Sequence, residues 1–439
     1  MTGGELLGII MLTIMIGVIF IGFPIAFTLL LLALGFGYFG LGAIVFDLAY
    51  FQAIGLMKEQ IFAAVPLFIF MGYVVEQAGL MERLFRAVRD ALAPVRGALY
   101  IGVILTATVF AMATGIVGAA VTVLGIMAAP IMIKAGYSPR LSAGAIAAGG
   151  TLGILIPPSV MLIVMGPVIN VSVAHLYAAS FGPGFMLASM YIGYCLVRSF
   201  LNPKLGPPVP LEERAASVWM VLWELVVGVL PLAALIAATL GTIMAGIVTP
   251  TEAAAMGASG AILLTILYGR FTLRGLKDAA YKTCLTSSMV LFLAVASNVF
   301  GAVFSRLGSA TVVTNAMIKL PLPPFGMLLL VQVLIFLLGW PFEWPAIILV
   351  FLPIFWPVIE ALKFDPIWVG ALIAVNLQTA FLSPPVAMSA YYLKSVVPQW
   401  DLRTIYGGMF DFMAIQVIGL ILVMLFPQIA LWFPGWLFG

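Results

Sequence analysis

One apolar stretch decides the fold of this chain, Gly149-Gly150-Thr151-Leu152-Gly153-Ile154-Leu155-Ile156-Pro157-Pro158-Ser159. It is apolar enough to lie in a membrane, yet two adjacent prolines stand near its end. Proline removes a backbone donor and clashes with the preceding helical turn, so no regular helix runs through Pro157-Pro158. Broken backbone at bilayer depth is tolerated only where it is buried in protein or lines a cavity. The stretch therefore predicts the unwound middle of a membrane crossing.

A second copy of this pattern lies 227 residues further on, at Asn376-Leu377-Gln378-Thr379-Ala380-Phe381-Leu382-Ser383-Pro384-Pro385. Three further proline pairs share the same offset, Pro94/Pro321, Pro130/Pro357 and Pro139/Pro366. One doublet could arise by chance, but several proline landmarks at one shift indicate a duplicated unit.

The composition is that of a membrane protein. Of the 439 residues, 64% are hydrophobic and only 8% are charged. So few charges could not cover a soluble core of this size, whereas a lipid bilayer requires such an apolar surface. The net charge of +3 is too small to suggest nucleic acid as a partner. The predicted fold class is an all-α polytopic membrane protein.

Residues 98–133 carry no charge and are too long for one crossing. A single helix of that length would measure about 54 Å at 1.5 Å per residue, against a hydrocarbon core of about 30 Å. Basic residues flank both ends, so both ends are predicted to be cytoplasmic. We interpret the segment as a re-entrant hairpin with its tip near Thr114–Gly118. A pair of ordinary full crossings is the alternative.

The second half repeats this plan with the opposite orientation. Its hairpin, 325–361, turns at 339–345 and is predicted to open to the outside. Ten crossings place both termini outside and put all but four of the 19 lysines and arginines in cytoplasmic loops. The four exceptions are Lys58, Arg306, Lys319 and Lys363. The halves are therefore predicted to be inverted repeats, the architecture of many secondary transporters.

These patterns divide the chain into five predicted parts, with loops expected at 47–60 and around the basic cluster 82–89. The parts are N-terminal scaffold helices (1–60), a first repeat (61–197) with hairpin 98–133 and broken helix 141–165, a linker with central scaffold helices (198–282), a second repeat (283–404) with hairpin 325–361 and broken helix 367–393, and a C-terminal helix (405–439).

Each predicted repeat brings a hairpin tip and a broken helix to mid-membrane. The broken helix exposes carbonyls at one half-helix end, which suit Na⁺, and N–H groups at the other, which suit an anion. The predicted first Na⁺ site comprises Thr114, Gly115, Val117, Gly153, Ile156 and Pro158. The predicted second Na⁺ site comprises Gly339, Trp340, Pro341, Gln378, Thr379 and Leu382.

Polar side chains within spans are costly and by default functional. The side chains predicted to contact the substrate are Thr114, Glu343, Asn376, Ser159 and Ser383. Glu343 could instead cap the second half-helix of its hairpin, and Asn376 could be an interhelical hydrogen bond. Thr249-Pro250-Thr251-Glu252 reads as a capping box, which favours a structural role for Glu252. No nucleotide-binding loop or catalytic triad is recognisable, so neither an ATP-driven pump nor an enzyme is predicted.

Three motifs resemble the large membrane subunit of tripartite ATP-independent periplasmic (TRAP) transporters. They are the opening stretch Gly149–Ser159, Gly246-Ile247-Val248-Thr249-Pro250-Thr251-Glu252-Ala253-Ala254-Ala255 and Phe381-Leu382-Ser383-Pro384-Pro385-Val386-Ala387. Pro66-Leu67-Phe68-Ile69-Phe70-Met71-Gly72 also fits, and the resemblance spans essentially the whole chain.

This resemblance implies an elevator-type secondary transporter driven by Na⁺ in a bacterial or archaeal cytoplasmic membrane. It also implies two partners, a small four-helix membrane subunit on a separate chain and a periplasmic binding protein that delivers an organic acid. Many members carry a Gly-Ser-Ser-like run at the first tip, where this chain has Thr114-Gly115-Ile116-Val117-Gly118. That departure shifts the expected ligands to Thr114 and backbone carbonyls. The variant tip, with Leu377-Gln378-Thr379-Ala380-Phe381-Leu382-Ser383-Pro384-Pro385, resembles the branch grouped with 2-oxo acid, lactate and mannitol/chloroaromatic systems, which implies a small monocarboxylate.

A stand-alone symporter of the same superfamily, coupled to Na⁺ or to protons through Glu343, is the alternative function. A membrane enzyme or a structural scaffold has no supporting motif.

Overall fold

The structure is a computed structural model, and it describes residues 2–208, 218–385 and 387–439. Its helices are α1 (Gly3–Phe20), α2 (Ile25–Leu41), α3 (Ile44–Lys58), α4 (Ala64–Gln77), α5 (Leu80–Ala91), α6 (Ala98–Thr114), α7 (Val117–Lys134), α8 (Pro139–Leu155), α9 (Val160–Ile169), α10 (Val173–Leu201), α11 (Val218–Ile236), α12 (Thr242–Met244), α13 (Pro250–Leu267), α14 (Leu273–Arg306), α15 (Ser309–Ile318), α16 (Pro324–Leu338), α17 (Trp344–Ala346), α18 (Leu352–Ala361), α19 (Pro366–Leu377), α20 (Met388–Val396), α21 (Leu402–Leu425) and α22 (Gln428–Phe438). Short 3₁₀ segments occupy Gln60–Ala63 and Gln378–Phe381, and π-helical segments occupy Ala237–Gly241 and Ile347–Phe351.

The predicted all-α, multi-pass class is confirmed. Within the described residues, nine helices are long and apolar enough to cross a membrane, or ten if α8 and α9 together form one bent span. Helix α8 lies at the centre, because every residue from Leu141 to Leu155 is buried. It packs against α6, α7, α10 and α21.

The duplicated unit is visible in the helix boundaries. Helix α7 begins at Val117 and α17 at Trp344, and α8 begins at Pro139 and α19 at Pro366. Each pair is separated by the 227-residue offset of the proline doublets. The first hairpin breaks between Thr114 and Val117, inside the predicted tip. The inverted orientation of the halves stays a prediction.

Both proline doublets interrupt a helix as predicted. Helices α8 and α9 bend by 44° at the first doublet. In the second half, α19 passes into the 3₁₀ turn Gln378–Phe381, and helix resumes only at Met388. The Pro157-Pro158 and Pro384-Pro385 bonds are both cis. The breaks arise because neither proline of a doublet can donate to the carbonyl four residues earlier.

Several boundaries differ from the sequence prediction. The predicted loop 47–60 is mostly helix α3, and the basic cluster is not a loop but the amphipathic helix α5, which buries Leu84 and Phe85. The last predicted span divides at Phe426–Pro427 into α21 and α22. In the basic cluster, burial of one apolar face produced a helix where the charges had suggested a loop. In the last span the reverse holds, because Pro427 interrupts a helix that was predicted to be continuous.

The capping-box prediction is confirmed. Glu252 accepts the Thr249 backbone N–H at 2.8 Å, and the Thr249 side chain accepts the Glu252 N–H at 3.3 Å. Glu252 is therefore engaged at the start of α13. Asp411, in α21, accepts from Arg140 at 2.7 Å and from Tyr194 at 3.1 Å, which ties α21 to α8 and α10.

Glycines let α8 and α21 cross closely, which yields a stability prediction. A Cβ built at Gly408 would lie 2.0 Å from the Arg140 carbonyl oxygen and 2.8 Å from the Gly144 nitrogen, both in the α8 backbone. Gly408→Ala should therefore force the helices apart and lower the free energy of unfolding by about 1–3 kcal/mol. Thermal unfolding of the purified chain measures the effect.

Gly407→Ala is the matched control, since its Cβ would come no closer than 3.5 Å to the Arg140 side chain. Both variants gain the same helix propensity, so their difference isolates the close crossing. A Gly408→Ala protein that melts at the same temperature as Gly407→Ala would refute the close-crossing argument.

Candidate transport site

The first hairpin tip lies directly against the first proline break. Gly115 has a φ of +62°, and a Cβ built there would lie 3.2 Å from the Pro158 carbonyl oxygen. Thr114, which precedes it, is 2% exposed, and its hydroxyl donates to the Phe110 carbonyl at 3.1 Å. Helix α4 closes the other side, since a Cβ at Gly72 would lie 2.7 Å from the Thr114 carbonyl oxygen. The tip fits only with glycine at these contacts.

The first break leaves a backbone oxygen available. The Gly153 carbonyl has no helical donor, because the residue four positions later is Pro157. The neighbouring Ile154 carbonyl has also lost its donor to a proline, and the Ser159 hydroxyl fills that place at 2.5 Å. Ser159 also caps α9 by accepting the Leu162 N–H at 3.5 Å. Its side chain, a predicted substrate contact, is thus bonded to both half-helices.

The second tip also lies against the break of its own half. A Cβ built at Gly339 would lie 3.1 Å from the Ala380 Cβ. Ala380 stands four residues before Pro384, so its carbonyl has no helical donor. The Thr379 carbonyl accepts the Leu382 N–H at 3.0 Å and the Ser383 hydroxyl at 2.6 Å. Ser383, like Ser159, therefore stabilises its break.

The two tips flank one cavity of about 130 Å³. Gly115–Gly118 line it from the first tip and Glu343–Pro345 from the second. Thr286 of α14 and Tyr392 of α20 complete the wall on the polar side. Glu343 is the one charged side chain among the described residues that line this cavity.

Glu343 stands at the N-cap position of α17, but its side chain makes no capping hydrogen bond. The alternative in which it serves as a cap is therefore wrong. Asn376 differs, because its Nδ2 donates to the backbone and side-chain oxygens of Gln332 at 2.7 and 2.9 Å. It joins α19 to α16 and does not line the cavity between the tips.

Part of the first predicted cation set is brought together. Gly115, which follows Thr114, lies against the Pro158 carbonyl oxygen, and the Gly153 carbonyl has no helical donor. In the second set Trp340 is 42% exposed and packs edge-on against Phe336, away from the cavity. The sequence analysis missed Thr286 and Tyr392, since no local motif marks residues that only tertiary packing brings to the tips.

The donor chemistry at both breaks fits Na⁺. A small hard cation takes oxygen ligands, and backbone carbonyls freed from helical hydrogen bonds supply them without burying extra charge. The Thr114 hydroxyl keeps its lone pairs free, because its proton is donated to Phe110. Within the described residues, no group of three or more His, Cys, Asp and Glu side chains could hold a metal ion. The candidate ligands are thus neutral oxygens, with Glu343 nearby.

The described residues form a multi-pass helical membrane protein in which two hairpin tips and two proline breaks surround a small cavity. The sequence profile described as "Tripartite ATP-independent periplasmic transporter, DctM component" matches residues 12–429. The chain belongs to this family, as its large permease subunit.

Relatives of several substrate types are similar to it. The C4-dicarboxylate TRAP transporter large permease of Pseudomonas aeruginosa is 30% identical over 85% of this chain and 86% of its own length. The sialic acid TRAP transporter large permease of Vibrio cholerae is 29% identical over 97% of each chain. The YdaH transporter of Alcanivorax borkumensis shares the fold at 18% identity, with a TM-score of 0.63 over 89% of each chain.

Proposed function

We propose that this chain is the permease subunit of a Na⁺-coupled importer of an organic acid, a small monocarboxylate such as a 2-oxo or 2-hydroxy acid. A periplasmic binding protein delivers the acid, and a separate small four-helix subunit completes the complex in the inner membrane. Transport follows an elevator mechanism, with both termini periplasmic. The supporting observation is that each tip lies against the proline break of its own half, around one cavity of about 130 Å³.

The charge of Glu343 favours cation coupling. An anionic substrate entering this cavity meets the Glu343 carboxyl group, and the ionised form of that group repels a substrate of the same charge. Na⁺ bound at the tips offsets this repulsion. Substrate entry then depends on prior cation binding, which couples the two fluxes.

The proposed substrate class, a small organic acid, draws on the small volume of the cavity, on the relatives and on the first tip. The relatives are named for substrates as different as C4-dicarboxylates, sialic acid and ectoine. This range supports an imported organic solute in general. The monocarboxylate assignment rests on the variant first tip, where Thr114-Gly115 offers one side-chain hydroxyl and otherwise backbone.

Component omission in proteoliposomes tests this function. Radiolabelled monocarboxylates should accumulate only when the permease, the small subunit, the loaded binding protein and an inward Na⁺ gradient are all present. Removal of any one should return uptake to the level of empty vesicles. Full uptake by the permease alone would support the stand-alone symporter instead, and the uncapped Glu343 carboxylate is the observation that favours that second candidate.

A further inference from the structure

A fully buried polar cluster joins the two halves of the protein. Its members are Thr151 in α8, Gln378 at the 3₁₀ turn after α19, and Gln416 in the middle of α21, all with no exposed surface. Gln416 Nε2 donates to Thr151 Oγ1 at 3.2 Å and to Gln378 Oε1 at 3.4 Å. Thr151 Oγ1 also lies 3.4 Å from Gln378 Oε1. We name this set the Gln416 bridge.

The bridge lies where equivalent positions of the two halves meet. Thr151 and Gln378 are separated by 227 residues, the offset of the proline doublets and helix starts. Thr151 stands two residues before Gly153, and Gln378 stands two residues before Ala380. The carbonyls of Gly153 and Ala380 have no helical donor, because a proline stands four residues after each of them. Gln416 therefore holds the last helical turn before each break.

Stability alone does not account for this cluster. Gln378 Nε2 and Gln416 Oε1 have no hydrogen-bond partner among the described residues. Each unsatisfied buried polar group costs about 1–3 kcal/mol. Apolar side chains of similar size would avoid that cost inside a membrane bundle. Polar groups kept at such cost within spans are by default functional.

We infer that Gln416 is a positioning residue that couples the two cation sites. The inference rests on the proposed Na⁺-coupled function. An ion at one break fixes the carbonyls there and the helical turn that carries them. That turn carries Thr151 or Gln378, so fixing the turn also fixes the hydrogen bond between this residue and Gln416. Because Gln416 bonds to both residues, the equivalent turn at the other break is fixed as well. Binding of the first Na⁺ thus raises the affinity for the second, and the coupling is reciprocal.

Gln416→Met tests the coupling, because methionine keeps the length of the side chain and removes both hydrogen bonds. Sodium is titrated into the purified full chain, and binding is followed by tryptophan fluorescence, for which Trp340 and Trp344 flank the second tip. Thermal stabilisation by Na⁺ gives a second readout that needs no transport. The wild type should bind with a Hill coefficient near 2. The variant should bind with a coefficient near 1 and a half-saturating Na⁺ concentration raised about tenfold.

Gln332→Met is the matched control. It removes another buried glutamine, whose partner Asn376 lies in the same half of the chain. Its Hill coefficient should stay that of the wild type. Thr151→Val removes the hydroxyl that accepts the Gln416 hydrogen bond. If Gln416→Met does not fold, the Hill coefficient of Thr151→Val tests the coupling instead.

The outcomes separate the inference from the proposed function. A wild type without any Na⁺ response overturns the Na⁺-coupled function itself. The coupling is overturned if the wild type responds to Na⁺ with a Hill coefficient of 1. It is also overturned if the Gln416→Met and Thr151→Val proteins both keep the wild-type Hill coefficient. Neither result contradicts the Na⁺-coupled function. Loss of cooperative Na⁺ binding in both bridge variants, but not in Gln332→Met, supports the inferred coupling between the two cation sites.

Discussion

Gly115→Val is expected to reduce Na⁺-driven uptake about 100-fold, the scale on which a displacement of about 1 Å impairs a positioned site. Gly115 has a φ of +62°, and even a Cβ at this position would lie 3.2 Å from the Pro158 carbonyl oxygen. The two methyl groups of valine have no room there, so the tip must move away from the break. The measurement is the initial rate of substrate uptake in proteoliposomes with both partner proteins present.

Gly136→Val is its matched control. Gly136 follows the same hairpin with a φ of +72°, and nothing lies within 4 Å of a Cβ built there. It carries the same backbone strain without the contact with the break, so uptake per folded molecule should remain within about threefold of wild type. Equal losses in both variants would show that strain, and not the contact of tip and break, accounts for the Gly115→Val defect.

Glu343→Gln is expected to lower uptake roughly 10- to 100-fold at a fixed Na⁺ concentration, because the carboxylate that attracts Na⁺ to the cavity is lost, a charge-assisted interaction of about 1.5–3 kcal/mol. Glutamine keeps the shape of the side chain but removes the negative charge from the cavity between the tips. The Na⁺ concentration for half-maximal uptake should rise, and saturating Na⁺ should restore part of the rate.

Glu360→Gln serves as the comparison, because Glu360 lies in the same hairpin and accepts the Trp356 indole N–H at 3.0 Å. It should leave the Na⁺ dependence unchanged. An inward proton gradient in Na⁺-free buffer should drive no uptake in the wild type. Uptake under those conditions that Glu343→Gln abolishes would establish the proton-coupled alternative.

The breaks could be predicted from the sequence because proline acts locally. A doublet removes two backbone donors wherever it stands, and a repeated doublet at a fixed offset identifies the duplication. The position of the first turn was predictable for a related reason, since an apolar run as long as 98–133 cannot cross the membrane as one helix and must turn back. These features depend on covalent chemistry and on bilayer thickness, which do not require knowledge of the packing.

The rest of the site depends on contacts between distant segments. Thr286 and Tyr392 reach the cavity only through the packing of α14 and α20 against the tips, and neither residue lies in a motif. Ser159 and Ser383 were predicted as substrate contacts, and the structure adds that both hydroxyls donate to backbone carbonyls next to the breaks, which the sequence did not indicate. Gln416 was not predicted as a functional residue, because the sequence around a single glutamine in a long apolar helix does not indicate which residues it contacts.

The most direct test of the central claim is a flux measurement with radioactive sodium. Vesicles that contain the permease and its small subunit are given an inward Na⁺ gradient, and substrate-loaded binding protein is then added. If the tips and breaks form cation sites coupled to the substrate, sodium should enter together with the acid, in a fixed ratio greater than one, and neither should enter at an increased rate without the other. Substrate entry with no accompanying sodium would contradict the account.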